Sequence, residues 1–366
     1  MMQIYQQQGN PSSLHFWGER AATVIETARI QIAELINSQP EAITFTSGGT
    51  ESNNLALFGV TRQYSSPQHL IISSVEHSAV SEPAKILAES GWEITKLPVN
   101  AQGRINPLDL IAAIQPNTVL ISIIYGQSEI GTIQPIAKLA QIARNKGILF
   151  HTDAVQAVGR VDIDVAALGV DLLSVSSHKF YGPQGVGALY IRPGVKLQPH
   201  SFGGAQEAGL RPGTQPVALI AGFGIAAKMA KQELSKESQR LRILSDRLFN
   251  HLQDCPYLIP TGDRINRLPH HVSFILNPDY FTENVTGKTL VRQLNLAGIG
   301  ISSGSACQSG KLNPSPILLA MGYSPNEAIR GIRLTVGKDT LSADLDWTAM
   351  VLKQILSRLK PQLVTV

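Results

Sequence analysis

The 366-residue chain is predicted to be an α/β protein built on a largely parallel sheet, because short apolar runs alternate with helical patterns along its first two hundred residues. A second observation agrees: the runs are continuously apolar, as strands covered by helices on both faces require, and they end in polar or glycine-bearing turns. The length gives a prior of roughly two to three domains at about 150 residues each, enough to bury a core without disulfides or metals.

The elements follow in order. Ala21, Val24, Ile25, Ala28, Ile32, Leu35 and Ile36 recur at spacings of three and four, the apolar stripe of an amphipathic helix over 21–36. AITFT is then a strand followed by a helix at 51–64, HLIIS by one at 78–90, WEITKLPV by one at 107–115, and TVLISII by one at 136–146. ILFHT precedes a short helix, and DLLSVS closes the series. A long helix over roughly 215–254 is mostly apolar in its first half and rich in Lys, Glu and Arg in its second, as expected of a connector leaving a core. The domain boundary is placed inside it, giving a large domain at 1–235 and a smaller C-terminal α/β domain at 236–366. In the latter, HHVSFIL, GIGISS and GIRLTV read as strands, and 286–297, 314–321 and 343–360 as helices.

Composition narrows the function. With 43% hydrophobic and 16% charged residues the chain is globular, and a net charge of +4 with scattered basic residues argues against a nucleic-acid partner. The longest apolar stretch, Val217 to Ala227, is short of the roughly 18 residues that cross a bilayer, so no membrane association is expected. The opening MMQIYQQQGNPSS has neither the basic nor the apolar region of a secretion signal. Cys255 and Cys307 are the only cysteines; a disulfide framework or a Cys-built metal site is not expected, and free thiols in a reducing, cytoplasmic compartment are.

Ligands of open α/β sheets gather at the carboxyl ends of the strands, which directs attention to four turns. After AITFT, Ser47-Gly48-Gly49-Thr50-Glu51 offers two glycines and a helix start that could cup a phosphate, or simply a turn capped by Thr50. After ILFHT comes Asp153, a carboxylate at a buried strand end that needs a cation, either a protonated ring nitrogen or a nearby Arg or Lys. After DLLSVS, Ser177-His178-Lys179 places a lysine one strand–helix–strand step from Asp153; held at low dielectric it is a Schiff-base candidate, otherwise a solvated strand end. After HLIISSV, Glu76-His77 offers an imidazole that could lie over a planar ligand or move protons, or could be a surface histidine. Together the four match what pyridoxal phosphate requires. Cys307, surrounded by Ser302, Ser303, Gly304, Ser305, Ser309 and Gly310, reads as a reactive thiol on an accessible loop, whereas Cys255 beside Pro256 and Tyr257 reads as structural.

Those residues fall within longer motifs: GNPSSLH at 9–15, TSGGTESNNLA at 46–56, EHSAV at 76–80, HTDAVQAVGR at 151–160, SSHKFYGPQGVGALYIR at 176–192, RPGT at 211–214 and SSGSAC at 302–307. In that order they resemble the pyridoxal-phosphate-dependent cysteine desulfurases of the class V aminotransferase group. The resemblance implies a fold type I large domain with a mainly parallel seven-stranded sheet. It also implies Lys179 as the Schiff-base lysine, Asp153 as the partner of the pyridine nitrogen, His77 as the ring-stacking residue and Gln156 as the partner of the ring hydroxyl. Gly49, Thr50, Ser176 and His178 would hold the phosphate, joined by Thr214 from a neighbouring subunit, hence a homodimer. Ser128 and Arg333 would contact the substrate, the arginine as carboxylate clamp, and Cys307 would accept sulfur from L-cysteine as a persulfide, releasing alanine. The acceptor or scaffold protein would serve iron–sulfur cluster assembly or thiolation. The alternatives are a related lyase or aminotransferase without persulfide chemistry, and a non-catalytic homologue.

The chain departs from the family in five places. The family starts earlier, with a strand and turn near the active site, so part of that wall is expected to be missing or replaced. Gln127-Ser128-Glu129-Ile130-Gly131 stands where the family has NNExG, and Ala208, Ala205 and Pro212 replace the usual Arg, Gly and Ser. These substitutions predict a slow desulfurase whose turnover suffers more than its cofactor affinity.

Overall fold

The computed structural model describes residues 1–6, 9–304 and 313–360. Contacts divide the chain into two compact units: 1–97, 106–126 and 134–235 form the first, and 98–105, 127–133 and 236–366 the second.

In the first unit, seven strands make one sheet: β1 (Ile43–Thr46), β2 (His69–Ser73), β3 (Glu93–Leu97), β4 (Thr118–Ile124), β5 (Leu149–Asp153), β6 (Leu172–Ser176) and β7 (Gly187–Ile191), in the order β1-β7-β6-β5-β4-β2-β3. Strands β2 to β6 pair in parallel, whereas β7 is antiparallel to both β6 and β1. Two successive reversals restore the direction, so β1 runs with β6. The carboxyl ends of six strands therefore share one edge with the amino end of β7. Strands β2 and β6 are buried along their whole length, while β3 at the sheet's end exposes Glu93 and Lys96, which discourages further pairing.

The helices are α1 (Met2–Tyr5), α2 (Phe16–Leu35), α3 (Gly49–Thr61), α4 (Ser78–Glu89), α5 (Pro107–Ala113), α6 (Ile136–Asn145), α7 (Val165–Leu168) and the long α8 (Val217–Leu252). Helix α2 starts ahead of its apolar stripe because the His15 ring caps it, accepting the Gly18 N–H at 3.1 Å. Helix α3 is capped by Gly48, and Thr50 lies inside its first turn, which corrects the expectation of a Thr50 cap.

The second unit carries an antiparallel sheet, β10 (Ser302–Ser303), β11 (Gly331–Thr335), β9 (His271–Leu276) and β8 (Leu258–Pro260) in that spatial order, with α9 (Gly287–Leu296), α10 (Pro316–Ala320), α11 (Pro325–Ala328) and α12 (Ser342–Leu359). Its core gathers Phe249, Phe274, Leu290, Ile332 and Leu352. Only the end of GIGISS is strand. The Gly298 N–H bonds the Asn295 carbonyl and the Ile299 N–H that of Leu294, with Gly298 left-handed at φ +76°, so this stretch closes α9 first.

One buried ion pair ties three parts of the first unit. Glu207, itself left-handed at φ +49°, accepts from Arg29 of α2 at 2.8 and 3.0 Å and from the Phe45 N–H of β1 at 2.9 Å. Burial alone would raise the Glu207 pKa, but the Arg29 bonds and charge and the Phe45 N–H hold it below the usual carboxylate range. Replacing Glu207 with Ala removes the acceptor of the Phe45 N–H and leaves Arg29 only Glu26 and the Ile43 carbonyl, and should cost about 1–3 kcal/mol in urea unfolding at neutral pH. Because the folded pKa is depressed, the wild type's own advantage is present at neutral pH and shrinks as pH falls through the acid range. The gap between the two proteins should therefore close at low pH.

Candidate active site

The shared strand edge of the first unit is where the four flagged turns meet. Behind β1, Gly48 and Gly49 bring the start of α3 close to its neighbours: a Cβ on Gly49 would lie 2.5 Å from Val155 Cγ2. A Cβ on Gly187, at the start of β7, would lie 2.7 Å from Gly48 Cα. The backbone thus closes around a cavity of about 310 Å³ lined by Ser47, Gly48, Gly49, Thr50, Glu51, Ser176, His178, Gln184 and Gly185. Three of the predicted phosphate ligands, Thr50, Ser176 and His178, line it with Gly49. Ser176 Oγ and His178 Nδ1 are 3.0 Å apart, and desolvation, then the Lys179 charge, lower the His178 pKa. A thirteen-residue helix begins at Gly49 with its first N–H groups unused by the helix itself, and the one carboxylate in the lining, Glu51, is taken up by the Ser47 N–H and by Arg211 at 3.0 Å.

Asp153 ends β5 and is buried. Its Oδ2 accepts the Asn53 amide of α3 at 2.7 Å and its Oδ1 the Val155 N–H at 3.0 Å. Burial raises its pKa; those two bonds and the charges of His77 and Lys179 pull the other way without cancelling the burial. A further cation near this carboxylate would therefore stabilise its charged form. Lys179 sits in the single 3-10 turn after β6, half-buried, with its carbonyl accepting from Arg160 Nη2 at 3.0 Å. His77 is the exposed cap of α4, and its Nδ1 accepts the Ala79 N–H at 3.1 Å, which assigns the ring proton to Nε2. Gln156 is half-buried, three residues past Asp153. Thr214 is exposed and is not among the cavity's lining residues.

Ser128 and Arg333 both belong to the second unit, where Arg333 Nη1 donates to the Ser128 carbonyl at 2.8 Å and Nη2 to Ser302 Oγ at 3.1 Å. His271 Nε2 holds the same Ser128 carbonyl at 2.9 Å. The Gln127 carbonyl oxygen accepts the N–H groups of Glu129 and Ile130, which ties that amide into the turn. Glu129 accepts the Ser315 hydroxyl at 2.5 Å. Cys307 lies outside the described residues, and no His, Cys, Asp and Glu cluster fit for a metal occurs among the described ones. No described helix is long and apolar enough to cross a membrane.

The sequence reading missed Asn53, Glu76 and Arg160. Asn53 lay within TESNN without a pattern to single it out. Arg160, buried in the apolar AVGRV, was the more detectable signal, since a buried guanidinium needs acceptors.

The family model of aminotransferase class-V matches residues 1–346. The cysteine desulfurase IscS of Dictyoglomus turgidum is 46% identical over 96% of this chain and 88% of its own length. The cysteine desulfurase IscS 1 of Archaeoglobus fulgidus is 41% identical over 96% and 91%. Among solved structures, a NifS-like protein is similar with TM-score 0.89 and 33% identity, over 97% of this chain and 93% of its own. SspA in complex with cysteine is similar at 0.79 and 35%, over 92% and 93%.

Cys255 is buried, and burial pushes its thiol pKa up. In a Cys307→Ser variant, iodoacetamide at neutral pH should therefore label the native protein hardly at all and the urea-unfolded protein once. Rapid labelling of the native variant would show that Cys255 is the accessible thiol.

Proposed function

Because the chain belongs to the aminotransferase class-V family, we propose that its strand-edge site is the pyridoxal-phosphate site of a cysteine desulfurase, which takes L-cysteine to L-alanine and passes the sulfur onward through Cys307. The observation that carries this is the buried Asp153 carboxylate at the strand edge that also presents Lys179 and His77. A protonated ring nitrogen would stabilise that carboxylate, and the cavity at the start of α3, lined by Gly49, Thr50, Ser176 and His178, would suit the phosphate at the other end of the same ligand. The residues present thus fit the cofactor.

Gly49, Thr50, Ser176 and His178 would hold the phosphate, Gln156 the ring hydroxyl, and His77 the ring face. Pyridoxal phosphate, when bound, supplies an electron sink that labilises bonds at the substrate's α and β carbons. Asp153 keeps a proton at the ring nitrogen, where a carboxylate in a dry site is most effective. Lys179 Nζ takes and returns the proton at the substrate Cα, and Arg333, already oriented by the Ser128 carbonyl and Ser302, would clamp the substrate carboxylate. The Cys307 thiolate would attack the substrate sulfur; as the S–S bond forms the Cβ–S bond breaks with its electron pair staying on the substrate carbon, which takes up a proton to become the methyl of alanine, and a persulfide is left on the enzyme. An acceptor or scaffold protein of iron–sulfur cluster assembly or thiolation would then take the sulfane. A homodimer, in which Thr214 completes a neighbour's phosphate site, is supported by the exposed apolar stretch Leu14, Phe16 and Trp17. Two cysteines with no disulfide framework suit the reducing cytoplasm.

Two outcomes test this reading. Borohydride should trap cofactor covalently on the wild type and on Cys307→Ser but not on Lys179→Ala, while persulfide formation from L-cysteine should be lost in both variants. Retention of the same adduct in Lys179→Ala would refute the assignment.

The second concerns Ser128, whose hydroxyl is shorter than the family's amide. A hydrogen bond lengthened or lost there costs about 1–3 kcal/mol, roughly five- to hundredfold in rate. Ser128→Asn should raise kcat for L-cysteine by that order, since its carbonyl stays held by Arg333 and His271. An unchanged or lower kcat would show that the serine already suffices.

A further inference from the structure

The turn between β2 and α4 buries a carboxyl for which the chemistry above has no use. Glu76 Oε1 accepts the Ser73 hydroxyl at 2.5 Å and the Ile124 N–H of β4 at 2.8 Å, while its buried Oε2 has no hydrogen-bond partner. Ile124 is the register partner of Asp153, so the two carboxyls flank the end of β4, Glu76 from the turn after β2 and Asp153 from β5, and each feels the other's charge. Two anions in one dry region repel, and the one with better hydrogen bonding keeps the charge. Asp153 has an amide donor, a backbone N–H and the charge of Lys179 in its favour. Glu76 has two donors on one oxygen and none on the other.

We propose that Glu76 is a positioning residue acting as a neutral carboxylic acid: it clamps the turn that presents His77 to the end of β4 and leaves Asp153 the single anion of the region. Burial first, then the Asp153 charge, push Glu76 up to about 8 against the pull of Ser73 and Ile124. The titratable neighbours are Asp153 from β5, which acts on Glu76 directly, and His77 and Lys179, which act on Asp153. A neutral Glu76 would also keep a second negative charge from raising Asp153 further. The consequence for His77 and Asp153 rests on the cofactor reading above; the protonation of Glu76 does not.

The test compares wild-type holoenzyme with Glu76→Gln and Glu76→Ala. A group whose folded pKa is raised gives stability that is complete below the ordinary carboxylate range and is lost as pH rises toward about 8. Glutamine is neutral throughout and loses nothing. The melting temperature of Glu76→Gln minus that of wild type should therefore climb from acid to alkaline pH and level off above about 8. Infrared spectra of protein carrying 13C-labelled glutamate should show a protonated-carboxyl band at pH 7 that Glu76→Gln lacks. Pyridoxal phosphate affinity should stay within about threefold in Glu76→Gln and fall at least about tenfold in Glu76→Ala, the worth of two lost hydrogen bonds. A pH-independent gap in melting temperature, no protonated band, or equal loss of affinity in the two variants would each overturn the proposal. Borohydride trapping on Lys179 reports separately on the cofactor reading.

Discussion

Everything at the strand edge depends on placing one charge, that of Asp153, where water does not reach it. A bare carboxylate there would be costly, and the structure answers with a closed circuit of contacts. Asn53 of α3 donates to Asp153; Val155 donates its N–H to the same carboxylate; and Gly49, at the start of α3, lies so close to the Val155 side chain that no Cβ fits between them. The helix whose first turn lines the cavity is therefore tied to the Asp153 carboxylate. A ligand with a phosphate at one end and a basic ring nitrogen at the other meets two groups whose separation is already set. Such preorganisation spares the ligand the ordering cost of a mobile site.

The antiparallel β7 makes that geometry available. Its insertion between β1 and β6 lets three turns, those after β1 and β6 and the one before β7, share the cavity lining. The approach is tight enough that a Cβ at Gly187 would lie 2.6 Å from the Val175 carbonyl and 2.7 Å from Gly48 Cα. Arg160 then braces the turn after β6: it donates to the Lys179 carbonyl at 3.0 Å and stacks on Tyr181, its charge 4.6 Å from the ring centre. Tyr181 is left-handed at φ +71°, a conformation of ordinary cost about 1 kcal/mol or more, and the cation above it helps to hold it. Lys179 is thus carried on a turn that is fixed from behind.

The parallel strands were legible because a strand buried on both faces must be apolar throughout, and HLIIS and TVLISII coincide with β2 and β4. Strand ends could be read for the same reason, and with them Thr50, His77, Asp153 and Lys179. Strand β7 was harder to see, since its glycines answer to neighbouring backbone rather than to a local period. Asn53 and Glu76 act through partners 100 and 48 residues away, which no local pattern encodes. Nor could local pattern show that 98–105 and 127–133 group with the chain beyond 235, because that grouping is made by long-range contacts alone. Cys307 was read as a reactive thiol from the small residues around it and as a sulfur acceptor only by resemblance, and it lies outside the described residues.

The turn carrying Ser128 shows how a departure from a family pattern can change reach without changing place. Gly131 is left-handed at φ +74°, and a Cβ on it would lie 2.7 Å from the His271 ring, so this turn rests directly on that imidazole. Burial, then the Arg267 and His270 charges, hold the His271 pKa well below the ordinary value, which keeps the ring neutral. A neutral ring has one donor to give, and its Nε2 is the atom facing the Ser128 carbonyl at 2.9 Å. Arg333 adds a second donor to the same oxygen at 2.8 Å. Both bonds are made to backbone, so they are indifferent to which side chain position 128 carries. The turn would keep its shape with Asn or Ser there, and the choice between them alters only how far a polar group extends from a fixed Cα.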